Sequence, residues 1–169
     1  MLTFPSASVA VIGAGPAGLM AADVLSEAGV SVAIYEAKPS IARKFLQAGV
    51  GGMNITHSEA FDSFVARYGA ARAVLEPWLR AFDADDLRAW VEGLGIDTFV
   101  GSSGRVFPVQ MKAAPLLRAW RHRLRERGVQ IHTRHRWTGW RAGALVFATA
   151  DGERLARPAA TVLALGGGS

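Results

Sequence analysis

Apolar residues gather in a short run at 8–12 (SVAVI), recur at helical spacing at Ala17, Ala21, Val24, Leu25 and Ala28, then gather again at 30–36 (VSVAIYE). Short runs bounded by turn residues suit strands buried on both faces of a parallel sheet, and the three-to-four-residue recurrence suits a helix. Pro16 fits a first helical position and Gly29 a helix stop. Residues 1–36 therefore predict one βαβ unit with a right-handed crossover.

Residues 37–57 carry no such period and read as a long loop rich in Gly, Lys and Arg, a kind of segment that is usually functional or disordered. Helical patterning runs from about 59 to 94, with Trp78, Leu79, Phe82, Leu87, Trp90 and Val91 at apolar positions. DTFVGSSGRVFP (97–108) predicts a hairpin about a Gly/Ser turn. Residues 112–127 predict an amphipathic helix, Ala113, Leu116, Leu117, Trp120 and Leu124 on one face and Arg118, Arg121 and Arg125 opposite. GVQIHTRHRWTGW, ALVFATADG and ERLARPA read as a small antiparallel meander, and ATVLALGGG (160–168) as a closing buried strand. The expected class is α/β, a parallel sheet with helices and a small β-meander. Its parts are a βαβ motif (1–36), a Gly-rich loop (37–58), a mainly helical insert with a hairpin (59–127), and the meander with a return strand (128–169).

Composition narrows the chemistry. Half of the 169 residues are apolar, enough for one packed domain. There is no cysteine, which excludes disulfides, thiolate metal sites and a Cys nucleophile. No apolar run approaches the ~20 residues that span a bilayer, and the N-terminus lacks a basic leader region, so a soluble cytoplasmic protein without membrane attachment is expected. The net charge is +5, and 112–141 hold Lys112 and eight arginines against one acid, Glu126. Such a block suits an anionic cofactor or nucleic acid, or simply a solvated helix face. Trp120 falls on the apolar face, which removes it from a base-stacking platform, so a basic nucleic-acid-binding module is the lesser alternative.

The stretch AVIGAGPAGLMAA (10–22) places Gly13, Gly15 and Gly18 between the first strand and the helix. In that context Gly13 permits the tight turn, Gly15 lets a diphosphate approach the backbone, and Gly18 lets helix and strand pack closely. The helix start, after Pro16 and from Ala17 onward, turns free N–H groups and the positive dipole end toward the phosphates, Pro16 itself having no N–H. Glu36, 18 residues past Gly18, is placed to accept from an adenosine ribose and disfavours a 2′-phosphate. Gly13, Ala14, Gly15, Pro16, Ala17, Gly18, Glu36 and Ala37 form the first part of the expected site. The motif alone leaves NAD and FAD open, and an NAD-binding dehydrogenase domain is the alternative reading.

Three further stretches carry a resemblance: AKPSIARKFLQAGVGGMNITHSE (37–59), GRVFPVQMKAAPLLRAW (104–120) and TVLALGGGS (161–169). The first resembles the "E…GRK…SGGGRCN-x-TN" pattern of BaiN-like or aminoacetone-oxidase-like bacterial FAD-dependent oxidoreductases. It matches at Glu36, Ala42-Arg43-Lys44, Ala48 to Gly52, Asn54 and Thr56. Val50, Gly52, Met53 and His57 stand where the pattern has Gly, Arg, Cys and the second Asn. The resemblance implies a Rossmann-like FAD-binding domain of the glutathione-reductase-like type, with FAD as cofactor. It also implies a flavin-dependent oxidoreductase acting on a small-molecule substrate. With no second glycine motif in the chain, NAD(P)H would dock transiently as reductant. Members of that family continue into a substrate or cap domain and a further FAD-contacting segment, so this chain is expected to be an N-terminal fragment, inactive by itself.

The remaining expected cofactor residues are Arg43, Lys44, Gly51, Gly52, Met53, Asn54 and Trp137. Gly-rich backbone can lie against a flat ring or a diphosphate without steric cost. Arg43 and Lys44 can neutralise phosphate or solvate the loop, and Asn54 can meet the flavin edge or hold a turn. Met53 reads as packing. Trp137 stands where related flavoproteins offer backbone groups to the adenine, or else fills core. His57, His122, His132 and His135 show no metal-pair spacing, and no metal is expected. Only His57 is a candidate beside a flavin, GSSGR (101–105) lacks the nucleophile-elbow spacing, and no catalytic residue is assigned.

Overall fold

The computed structural model describes residues 8–48 and 51–167. In chain order the elements are β1 (Val9–Ile12), α1 (Pro16–Glu27), β2 (Val32–Tyr35), α2 (Arg43–Ala48), β3 (Thr56–His57), α3 (Phe61–Ala66), α4 (Arg72–Ala81) and α5 (Ala84–Glu92). They continue as β4 (Thr98–Val100), β5 (Arg105–Pro108), α6 (Ala113–Glu126), β6 (Gln130–His132), β7 (Arg136–Arg141), β8 (Ala144–Thr149), β9 (Gly152–Ala156) and β10 (Ala160–Leu163). The chain forms two compact units, 1–45 with 121–169, and 46–120.

The first unit is built on a parallel sheet in the order β10-β1-β2-β6. β2 is buried along its whole length and β1 at Ala10, Val11 and Ile12, as unbroken apolar runs demand between two covered faces. Leu19 and Ala22 of α1 are buried, and α1 packs on β1, β2 and β10. The antiparallel sheet β7-β8-β9 supplies Leu145, Phe147 and Ala156 to one cluster with Ala10, Ile12, Ala33 and Tyr35. Tyr35 stacks on Phe147 at 4.2 Å and on His132 at 5.0 Å between ring centroids. The fold is the Rossmann-like α/β domain expected, with its meander.

The second unit holds the antiparallel sheet β3-β5-β4 with α3, α4 and α5. Val65, Val91 and Val106 are fully buried there, and Trp90 meets Trp120 edge-on at 4.6 Å. The hairpin of 97–108 forms as expected and gains β3 as a third strand. Ala113, Leu116, Leu117, Trp120 and Leu124 of α6 are all buried, while Arg118, Arg121 and Arg125 are exposed.

Five expectations are corrected. The loop at 37–57 contains α2 and β3, elements too short to leave a period in the sequence. The helical stretch 59–94 is broken into α3, a 3₁₀ turn at Gly69–Ala71, α4 and α5. Asp83 starts α5 with a reciprocal cap, its Oδ1 accepting from Asp85 N at 2.8 Å and Asp86 N at 2.9 Å. Trp78 and Phe82, taken as apolar positions of that stretch, are 73% and 42% exposed. GVQIHTRHRWTGW divides between two sheets: β6 pairs parallel with β2, and β7 enters the meander after a turn with Arg134 at φ 59°. β10 is an edge strand of its sheet rather than a buried one, with Leu163 52% exposed. Gly49, Val50, Gly168 and Ser169, which figured in the sequence motifs, lie outside the described residues.

Candidate cofactor site

The site begins where β1 runs into α1. Gly13 has φ 105°, and its N–H donates to Tyr35 O at 2.8 Å, continuing the β1–β2 ladder into the turn. A Cβ on Gly13 would collide with Ala164 O, and one on Gly18 with Gly13 O. Both glycines are thus required by protein backbone. Gly15 is different: a Cβ there meets no atom within 4 Å. Gly15 is also the N-cap of α1, with no side-chain cap, and Pro16 follows it. The first-turn amides of Ala17 and Gly18 have no intrahelical acceptor, so they and the positive end of the helix dipole are offered to the open side of the turn. A 12-residue helix supports that dipole, and an anion is the natural ligand of such an end.

Glu36 follows β2 and stands beside this turn. Its Oε2 accepts from Ala14 N at 2.9 Å and its Oε1 from Lys38 N at 2.8 Å. Each carboxylate oxygen has a second lone-pair site, so both retain capacity for a ligand hydroxyl. Ala14 is fully buried, and its carbonyl accepts from Ala42 N at 2.8 Å. Both backbone polar groups of Ala14 are therefore engaged within the protein. Ala42 itself was no part of the expected site. It is buried with φ 53°, and it stands where the resembling pattern carries the glycine of GRK. Arg43 and Lys44 open α2 directly after it and are exposed. Arg43 has no ion-pair partner among the described residues.

The chain after β6 returns to Glu36. Arg134 N donates to Lys38 O at 3.1 Å and His135 N to Glu36 O at 2.9 Å, so β7 starts at the end of β2. That placement brings Trp137 into the same unit as the glycine turn, half-buried against the Tyr35–Phe147 cluster, with its Nε1 buried and lacking a hydrogen-bond partner among the described residues. His132 and His135 lie 5.4 Å apart between ring centroids. Burial, then the neighbouring His135, depress the His132 pKa below the usual imidazole value. Burial pushes the Tyr35 phenol up to about 12.

Gly51, Gly52, Met53 and Asn54 belong to the second unit. Gly52 has φ 125°, and Met53 N donates to Met111 O at 3.1 Å. The Asn54 amide, oriented to satisfy its neighbours, donates to Thr56 O at 2.8 Å and Val106 O at 3.3 Å, which is a turn-holding arrangement. His57 accepts from Glu59 N at Nδ1 (3.1 Å), which leaves Nε2 to donate to Ser103 O at 3.1 Å. Nδ1 thus holds the local turn to Glu59 and Nε2 ties β3 to the hairpin turn, an arrangement that explains the residue without proton transfer. Among the described residues no cluster of three or more His, Asp or Glu side chains could hold a metal ion. No helix there is long and apolar enough to cross a membrane.

The turn, open at one glycine and closed at two, and the dipole can take an anion, and the Glu36 carboxylate can accept from a hydroxyl, groups that the ADP half of a dinucleotide presents. Comparison with known proteins bears on which dinucleotide. A family model described as the HI0933-like protein Rossmann domain matches residues 7–169. The 3-ketosteroid-Δ4-(5α)-dehydrogenase of Rhodococcus jostii RHA1 superposes with TM-score 0.72 at 14% identity, over 96% of this chain and 46% of that one. A flavocytochrome c3 fumarate reductase gives 0.64 at 17% identity, over 98% and 34%. The THI4 protein of Thermovibrio ammonificans gives 0.61 at 18% identity, over 95% and 58%. At these identities the likeness is one of fold, and the chain spans only a third to about three-fifths of those structures. The chain belongs to the HI0933-like family and constitutes its Rossmann domain, an FAD-binding α/β domain.

Proposed function

We propose that this chain is the FAD-holding portion of a flavin-dependent oxidoreductase. The pyrophosphate lies against Gly15 and the first-turn amides of Ala17 and Gly18, the adenosine ribose on Glu36, and the adenine along the backbone at Trp137. Arg43 and Lys44 supply positive charge for the pyrophosphate. Gly51, Gly52 and Met53 are the Gly-rich backbone proposed for cofactor contact, and Asn54 keeps their loop in its turn. The observation that carries this reading is the contrast among the three glycines: Gly13 and Gly18 are closed by backbone, whereas Gly15 alone faces open space on a helix N-terminus beside a carboxylate.

Bound FAD supplies reversible electron and hydride transfer, and this chain's residues supply binding and orientation. Glu36 disfavours a 2′-phosphate at this site by charge repulsion, so NADPH is not its occupant. A small-molecule substrate, and NAD(P)H docking transiently as reductant, complete the proposed activity.

The test is the absorption spectrum of the purified protein, followed by mass identification of the released chromophore. Flavin bands and FAD itself are expected. Release of NAD, or a titration in which NAD binds and FAD does not, would establish the dehydrogenase alternative instead.

A further inference from the structure

The segment entering α2 is held by an alanine in a conformation that alanine resists. Ala42 has φ 53°, the left-handed region in which Cβ crowds the carbonyl oxygen, and it is only 3% exposed. Glycine takes this φ without a steric penalty, and a non-glycine residue stays there only where its surroundings over-determine it. The constraint here is visible. Ala42 N donates to Ala14 O at 2.8 Å, and Ala14 N donates to Glu36 Oε2 at 2.9 Å. One residue of the glycine turn thus ties the ribose acid on one side to the start of α2 on the other. Arg43 and Lys44 follow Ala42 directly, so this bond sets where their chain departs from the turn.

We propose that Ala42 is a positioning residue of the cofactor site. Its left-handed backbone and its bond to Ala14 hold the glycine turn and the Arg43–Lys44 segment in register for the pyrophosphate before the ligand arrives. The proposal rests on the FAD reading given above.

The test titrates FAD, and ADP as a probe sharing its pyrophosphate and ribose, against the wild type, Ala42→Gly and Ala42→Val at low and high salt. Wild-type affinity weakens as salt rises, because the cations beside the pyrophosphate are screened. Ala42→Gly keeps the dissociation constant within about threefold and the same salt response, since glycine accepts the φ. Ala42→Val, whose branched side chain resists it, raises the dissociation constant about tenfold, or ~1.4 kcal/mol, and flattens the salt response. A general loss of stability does not flatten a salt response. A valine variant with wild-type affinity and salt response overturns the proposal.

If Ala42→Val does not fold, amide hydrogen exchange in the wild type decides. The Ala42 amide is expected to exchange slowly, and more slowly still with FAD bound. Exchange at the rate of an open loop in both states overturns the proposal. A wild type that binds neither FAD nor ADP overturns the cofactor reading and this proposal with it, whereas wild-type binding beside an unaltered valine variant overturns this proposal alone.

Discussion

Arg127 Nη1 lies 2.6 Å from Asp23 Oδ1, joining the end of α6 to the middle of α1 across 104 residues of chain. Asp23 is almost wholly buried, Arg123 stands 3.7 Å from its other oxygen, and Arg127 Nη2 also reaches Glu27 at 3.0 Å. Breaking such a pair is costly in proportion to the charge left behind in the interior. Arg127→Ala removes the nearer guanidinium and leaves Arg123 at 3.7 Å to offset the buried carboxylate, and is expected to cost about 3 kcal/mol. Asp23→Ala frees two arginines that are partly exposed and can turn to water, so a smaller loss of about 2 kcal/mol is expected. Urea denaturation of the two single variants and the double variant checks this, the double costing less than the sum of the singles.

The two kinds of glycine in the turn predict opposite phenotypes. Gly18→Ala drives a Cβ into Gly13 O, which is backbone and cannot move aside without opening the turn. A loss of about 1–3 kcal/mol or more is expected in thermal or urea melts. Gly15→Val enters open space at φ −78°, a region valine accepts, so stability should stay within about 1 kcal/mol of wild type. The same valine occupies the volume assigned to the pyrophosphate and should weaken FAD binding by more than about a hundredfold, roughly 2.7 kcal/mol. Melting curves beside cofactor titrations separate the two effects.

Glu36 serves both the turn and the proposed ribose. Glu36→Ala removes the acceptor for Ala14 N and Lys38 N as well as the contact with a ribose hydroxyl. A loss of about 1–3 kcal/mol in FAD affinity is expected, the range for hydrogen bonds to charged groups. Glu36→Gln keeps one acceptor oxygen for Ala14 N and removes the charge. It should hold the fold and tolerate a 2′-phosphate better, which competition between ADP and its 2′-phosphorylated form would read.

What could be read from the chain was what depends on neighbours in sequence. β1, α1 and β2 announce themselves because burial on two faces and a 3.6-residue stripe are local patterns, and Gly13, Gly15, Gly18 and Glu36 sit at offsets those elements impose. The apolar face of α6 was legible for the same reason. β6 was not: its three residues resemble meander strands, and only pairing with β2 across nearly a hundred residues assigns them to the parallel sheet. Ala42 left a trace only in the resembling pattern, which has glycine at its place, because its conformation is imposed by its bond to Ala14 and is not preferred by alanine. Trp78 looked like core from its type and spacing, yet it stands mostly exposed on α4. Asp23 with Arg127 joined elements that no spacing rule connects.

The pH dependence of stability should follow the aromatic cluster beneath the site. The folded-state pKa of His132 lies below its ordinary value, chiefly through burial and then through His135. The unfolded chain therefore takes up a proton more readily than the folded one, and stability present above about pH 6.5 is lost as the pH falls toward the depressed folded value. Tyr35 acts at the other end. Burial raises its folded pKa to about 12 from the ordinary phenol value of 10.0, so its contribution is intact below pH 10 and is lost as the pH rises toward 12. Melting temperatures from pH 5 to pH 11 should therefore describe a plateau that falls on both sides. His132→Gln should flatten the acid limb and Tyr35→Phe the alkaline limb. A limb that keeps its slope in the corresponding variant would assign that titration to another group.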